Sequence, residues 1–160
     1  MSIGLRMQAT PLQMAMAAAA IGQGATVAPR LLAQLDGRTA RQAPAQPLGV
    51  RLDRIRAGMK GVIERGTAAS AFRCAGCTAL RAGLYGKTGT APVADDATVW
   101  FTGWLEPGTL PGQRHRLAFA VFVSRSEAGG GDHAAPVIAA LLSSLAEPRT
   151  EGKMAMLIGQ

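Results

Sequence analysis

The stretch GLYGKTGTAPV (Gly83–Val93) is followed by TVWFTGWLEP (Thr98–Pro107) and HRLAFAVFVSR (His115–Arg125). Each run is rich in β-branched and aromatic residues, and the intervening ADDA and GTLPGQ are turn formers, so the three predict consecutive strands of an antiparallel meander. In the third run Phe119, Val121 and Val123 alternate with Ala118, Ala120 and Phe122. Apolar residues on both sides of a strand predict cover on both faces. Five of the seven aromatic residues fall between Trp100 and Phe122, which places the core there, with Trp100, Phe101 and Trp104 inside it.

Helical patterns flank this region. Upstream, TPLQ (Thr10–Gln13) opens a helix, with Thr10 as N-cap, Pro11 where a missing N–H costs nothing, and Gln13 completing a capping box. Gly22 and Gly24 are expected to end it. Residues 33–47 are polar and proline-bearing and predict a surface loop. Leu52, Ile55, Met59, Val62 and Ile63 then recur at helical spacing up to Gly66, with Arg51, Arg54, Glu64 and Arg65 on a solvated face. The Gly- and Ala-rich segment 67–83 has no clear period. After Gly129–Gly131, Asp132 is placed to cap a last helix whose buried stripe would be Val137, Ile138, Leu141, Leu142 and Leu145; residues 148–160 read as a frayed tail. The fold class is therefore α+β, an antiparallel sheet with helices on both faces.

Composition supports one globular domain. The 160 residues are 48% hydrophobic and 17% charged, which excludes a disordered chain. With 31 alanines and 20 glycines, packing must rely on close approach of backbones. The net charge is +7, but the arginines are scattered and not interleaved with aromatics, so no nucleic-acid platform is expected. The apolar run after Arg6 is short of the ~20 residues a membrane span requires, and it reads as a helix start rather than a targeting signal.

Cys74 and Cys77 form a CAGC pair. A lone CxxC leaves three readings open: plain thiols or a local disulfide in a loop, a redox-sensitive pair, or two ligands of a metal site completed from elsewhere. A thioredoxin-type arrangement needs a helix after the pair, whereas Ala79–Gly83 read as leading into a strand.

Lys87, Thr88, Gly89 and Thr90 form the segment whose residue types suggest a site. A cation, two hydroxyls one strand period apart and a glycine suit an extended peptide with a carboxylate, which could pair with the strand edge while Thr88 and Thr90 hydrogen-bond its carboxylate. The competing reading is an ordinary strand with a snorkelling lysine.

K-T-G is one of three signatures of penicillin-binding proteins and related serine β-lactamases, and the surroundings resemble the C-terminal half of a penicillin-binding transpeptidase domain. ATPLQMAMAAAAIGQGATVAPRLL (Ala9–Leu32), MKGVIERGTA (Met59–Ala68), GKTGTAP, VWFTGWLEP (Val99–Pro107), AFAVFV and HAAPVIAALL (His133–Leu142) follow in the family's order. The resemblance implies that Lys87 supports electrostatics beside a serine nucleophile and that Thr88 and Thr90 hold the substrate carboxylate. It further implies that the Thr90 N–H is half of an oxyanion hole. The implied substrates are the peptidoglycan stem peptide or a β-lactam, with no cofactor and no metal, in the periplasm or at the outer face of a bacterial cytoplasmic membrane.

Two family motifs are missing. The six serines are followed three residues later by Leu5, Arg73, Glu127, Gly129, Ala146 and Glu147, so there is no S-x-x-K; without any asparagine there is no S-x-N. Both belong upstream of Ala9 in the family's order. The expectation is therefore a partial transpeptidase domain over residues 1–147, with Met1 an internal start, inactive by itself and partnered by the missing N-terminal half. In the whole domain the strand at His115–Arg125 would pair on its far side with a strand of that half and take part of its cover from it, so Phe119 or Phe122 should be left partly exposed and the chain alone should be aggregation-prone, self-associating or molten. Alternatives are a serine β-lactamase fragment and a non-catalytic envelope protein that binds peptide through a strand edge; a small basic nucleic-acid binder is a further competitor.

Overall fold

A computed structural model describes residues 8–29, 31, 34, 35, 37–39, 43–74, 76–93, 96–126 and 129–147. The expected tail beyond Glu147 and the start at Met1 lie outside them. The elements in chain order are α1 (Pro11–Gln23), β1 (Gln34–Leu35), β2 (Arg38–Thr39), α2 (Asp53–Glu64), a 3-10 turn (Ser70–Phe72), α3 (Cys77–Gly83), β3 (Leu84–Val93), β4 (Asp96–Leu105), β5 (Leu117–Ser126) and α4 (Ala134–Ala146).

The meander forms as the alternation requires. β3, β4 and β5 make one antiparallel sheet in that order, with Lys87 opposite Thr102 and Thr102 opposite Ala120. Because successive residues of a strand point to opposite faces, Leu84, Val99, Phe101, Leu105, Phe119 and Val121 share one face. There they meet Phe72, Leu80, Ala135, Ile138 and Leu142, under α3, α4 and the 3-10 turn. On the other face Tyr85 and Trp104 stack with their ring centroids 4.7 Å apart, against Ala18 and Met59. α1 lies over this second face, and the Thr102 hydroxyl donates to its Met14 carbonyl at 3.2 Å. Helices therefore cover both faces, as the fold class requires.

α1 begins as read. Thr10 and Gln13 close the capping box. It ends at Gly24, as expected, the left-handed C-cap at φ +79°, but Gly22 does not stop it: the helix runs through Gly22 to Gln23. Gly22 serves packing instead of termination. A Cβ there would come within 2.9 Å of the buried Trp104 ring, so α1 settles on the sheet only because this position has no side chain.

Four other expectations are corrected. Residues 33–47 include the two-residue hairpin β1–β2, turning at Gly37, in place of an unbroken loop. Segment 67–83 contains the 3-10 turn and α3, so a helix does follow the cysteines; Cys77 and Leu80 enter the core, and burial drives a helix that the small residues leave without a visible period. α4 is preceded by His133, which makes no side-chain cap, and Asp132 belongs to the turn before it, its N–H on the Gly129 carbonyl. The buried stripe of α4 is Ala134, Ala135, Ile138, Ala139 and Leu142, while Val137, Leu141 and Leu145 are about half exposed. The helix packs through its small residues because these let the two backbones approach closely.

β5 lacks the cover on both faces that its pattern alone predicts, while the partial exposure expected of Phe119 or Phe122 in this half of the domain is found at Phe122. Phe119, Val121 and Val123 pack against the core, but Leu117 and Phe122 are 42% and 46% exposed. Trp100 is only partly buried, stacked on Phe122 with ring centroids 5.1 Å apart, whereas Phe101 and Trp104 are fully buried. Among the described residues, β5 pairs with β4 alone.

Candidate functional site: the K-T-G strand

β3 holds Lys87, Thr88, Gly89 and Thr90 in one extended segment, and pairs among the described residues only with β4. α2 packs against it. The alternation splits the four residues by face. Thr88 and Thr90 point with Leu84 and Gly86 toward the α4 side, and Lys87 points with Tyr85 toward α1.

Lys87 is exposed and lines a cavity of about 450 Å³ between α1 and α2, shared with Met14, Ala18, Met59 and Thr102. Its ammonium donates to the Thr88 carbonyl. The cavity is mostly apolar, and Lys87 brings to its wall a cation suited to pairing with a charged or strongly polar group. A second cavity, about 510 Å³ between α3 and the turn after β4, contains no K-T-G residue.

On the other face Thr88 is 7% exposed, and its Oγ1 lies 2.7 Å from Thr67 Oγ1 in the turn after α2. One hydroxyl of such a pair donates to the other, so the pair keeps one O–H for an outside acceptor. Thr90 is exposed, and its Oγ1 accepts the Gly130 N–H at 3.3 Å. The glycine run ahead of α4 has a steric reason. A Cβ on Gly130 would lie 2.7 Å from the Trp100 carbonyl oxygen and 2.8 Å from that of Gly89, and one on Gly131 would lie 1.9 Å from the Thr67 carbonyl oxygen. The start of α4 is thus wedged between the Thr67 turn and the K-T-G strand.

Thr67, Gly130 and Gly131 were not singled out by sequence as site residues, although Gly66-Thr67-Ala68 was visible as part of the family pattern and Gly129–Gly131 as a break. Arg56 was also missed. Its guanidinium donates to the carbonyls of Ile21 (2.9 Å) and Gly22 (3.2 Å), placing a cation on the C-terminal end of α1 and fixing that wall of the cavity. Lys60 bridges α2 to the end of α3, donating to the carbonyls of Arg81 and Ala82, with its ammonium 5.2 Å from the Tyr85 ring centroid. Partial burial, helped by Arg81 and opposed by Glu64, lowers its pKa from the usual lysine value.

A transpeptidase-like wall is what this sheet, its flanking helices and the K-T-G edge define. The chain belongs to the penicillin binding protein transpeptidase domain family, whose model matches residues 1–143. Among solved structures it is similar to Pseudomonas aeruginosa PBP2 in complex with WCK 5153, with a TM-score of 0.63 and 30% identity over 92% of this chain. The chain spans 32% of that relative's length. No curated protein matches it.

Proposed function

We propose that this chain forms the carboxylate-binding half of a peptidoglycan D,D-transpeptidase site, taking the stem peptide or a β-lactam along β3. The observation that carries this reading is the division of the K-T-G strand. Lys87 faces the cavity between α1 and α2, while the Thr67–Thr88 pair and Thr90 offer hydroxyls on the opposite face. A nucleophilic serine presented from that cavity would meet the Lys87 cation, which stabilises developing negative charge during acyl transfer. The substrate carboxylate would take the hydroxyl protons of Thr90 and of the Thr67–Thr88 pair, with its backbone along the β3 edge at Gly89.

This half does not acylate by itself. The sequence contains no S-x-x-K and no S-x-N, so nothing in it supplies the nucleophile or its proton relay. The second half of the domain would complete the site and pair with the side of β5 that faces away from β4. Such an assembly acts on peptidoglycan outside the cytoplasmic membrane; among the described residues no helix is long and apolar enough to cross one.

The test is covalent labelling of the isolated chain with a fluorescent penicillin. No labelled band should survive denaturing electrophoresis. A surviving band that disappears when one of the six serines is mutated would overturn the reading.

A further inference from the structure

Cys74 and Cys77 are joined by a disulfide, and their two sulfurs lie in different surroundings. Cys74 is exposed, between the 3-10 turn and Gly76. Cys77 is 1% exposed and sits in the core with Phe72, Leu80 and Leu84. Gly76, at φ +84°, turns the chain so that the two Cα atoms come within 5.2 Å.

A bond across a separation of three residues removes little freedom from the unfolded chain compared with a long-range crosslink, so global stability is a weak reason for it. Its effect is local: it fixes the start of α3. The far end is already held, by Lys60 on the Arg81 and Ala82 carbonyls and by the Arg81 guanidinium on the Glu64 carbonyl at 3.3 Å. α3 then passes directly into β3, so the disulfide pins the start of the helix that leads into the K-T-G strand.

We propose that Cys74–Cys77 is a thiol–disulfide exchange site for a protein dithiol, with Cys74 as the sulfur attacked. Exchange needs a thiolate in line with the S–S bond, and access decides which sulfur receives it. Only Cys74 offers that approach, and exposed Arg73, its neighbour in sequence, adds positive charge near it. The partner's thiolate bonds to the Cys74 sulfur, and the S–S electron pair leaves on Cys77, which takes up a proton. The partner's second thiolate then attacks its own sulfur in the mixed disulfide, and Cys74 leaves and is protonated. The chain gains two electrons and two protons while the partner's dithiol becomes a disulfide; the reverse sequence restores the bond. Reduced Cys77 remains in the core as a small apolar residue. Nothing in this site depends on the transpeptidase reading.

The experiment incubates the oxidised chain with a CxxC dithiol protein whose second cysteine is replaced by serine, so that the mixed disulfide accumulates, and maps it by peptide mass spectrometry. The mixed disulfide should form on Cys74 at least tenfold in excess over Cys77. Exchange on Cys77, or exchange only once denaturant is added, would overturn the proposal. A second measurement needs no variant and no protein partner: dithiothreitol reduction followed by an alkylating quench and hydrogen exchange. Reduction without denaturant should raise exchange over residues 76–84 and leave β4 protected; loss of protection throughout the chain would make the bond a structural staple and contradict the proposal.

Discussion

Thr67 Oγ1 lies 2.7 Å from Thr88 Oγ1, across 21 residues of chain, and this contact fixes the turn after α2 to the K-T-G strand. With Thr88 7% exposed, its hydroxyl depends on Thr67 for a partner that water cannot readily replace. Thr67→Val should therefore cost about 1 to 3 kcal/mol, the desolvation penalty of a stranded polar group. The double variant Thr67→Val/Thr88→Val should be less destabilised than that single, because two apolar groups of similar shape leave nothing unsatisfied. Urea denaturation of the three proteins checks this, and a double variant at least as unstable as the sum of the singles would refute it.

Lys60 gives the fold a pH dependence with a defined sign. Its folded pKa is lowered, so the unfolded chain binds the proton more tightly and stability rises with pH across the window between the folded value and 10.5. Deprotonated Lys60 keeps N–H donors for the Arg81 and Ala82 carbonyls. The stability advantage of the wild type over Lys60→Met should therefore grow as pH increases toward 10.5 and level off above it. A difference that stays constant or shrinks over that window contradicts the assignment.

β5 presents an edge that invites another chain. It pairs only with β4 among the described residues, and Phe122 and Leu117 stand 46% and 42% exposed beside that edge. Unpaired strand N–H and C=O groups next to apolar side chains promote edge-to-edge association. The isolated chain should self-associate with rising concentration in light scattering, and Phe122→Lys should weaken this by placing a charge on the edge. A wild type that stays monomeric at every concentration, with a sharp thermal transition, would show that the edge is already satisfied.

The sequence made the meander legible because its strands alternate cleanly between turn-forming segments, and it made α1 legible because Thr10, Pro11 and Gln13 form a complete start signal. It misled where size was taken for burial. In α4 the bulky Val137, Leu141 and Leu145 look like a core stripe, yet the alanines face the sheet since close backbone approach favours small residues. Gly22 looks like a terminator, and only the Trp104 ring shows why it has no side chain. At the site, Lys87, Thr88, Gly89 and Thr90 could be read as a local set. Their supports could not, because Thr67 and Gly130 reach them from 21 and 40 positions away and no local pattern encodes that meeting. The same holds for Arg56, whose contacts lie 34 and 35 positions back, on the end of α1.

At the centre of the proposed site stands Lys87, the cation beside a serine that the other half of the domain would present. The direct measurement is fluorescent-penicillin labelling after co-expression with an N-terminal transpeptidase half that carries S-x-x-K and S-x-N, comparing wild type with Lys87→Ala. The wild-type pair should label on the serine of the added half, and Lys87→Ala should lower the acylation rate by about 10² or more, the scale for losing a group that stabilises the reacting centre. Labelling of the pair that Lys87→Ala leaves unchanged would show Lys87 to be an ordinary strand lysine and would contradict the central claim.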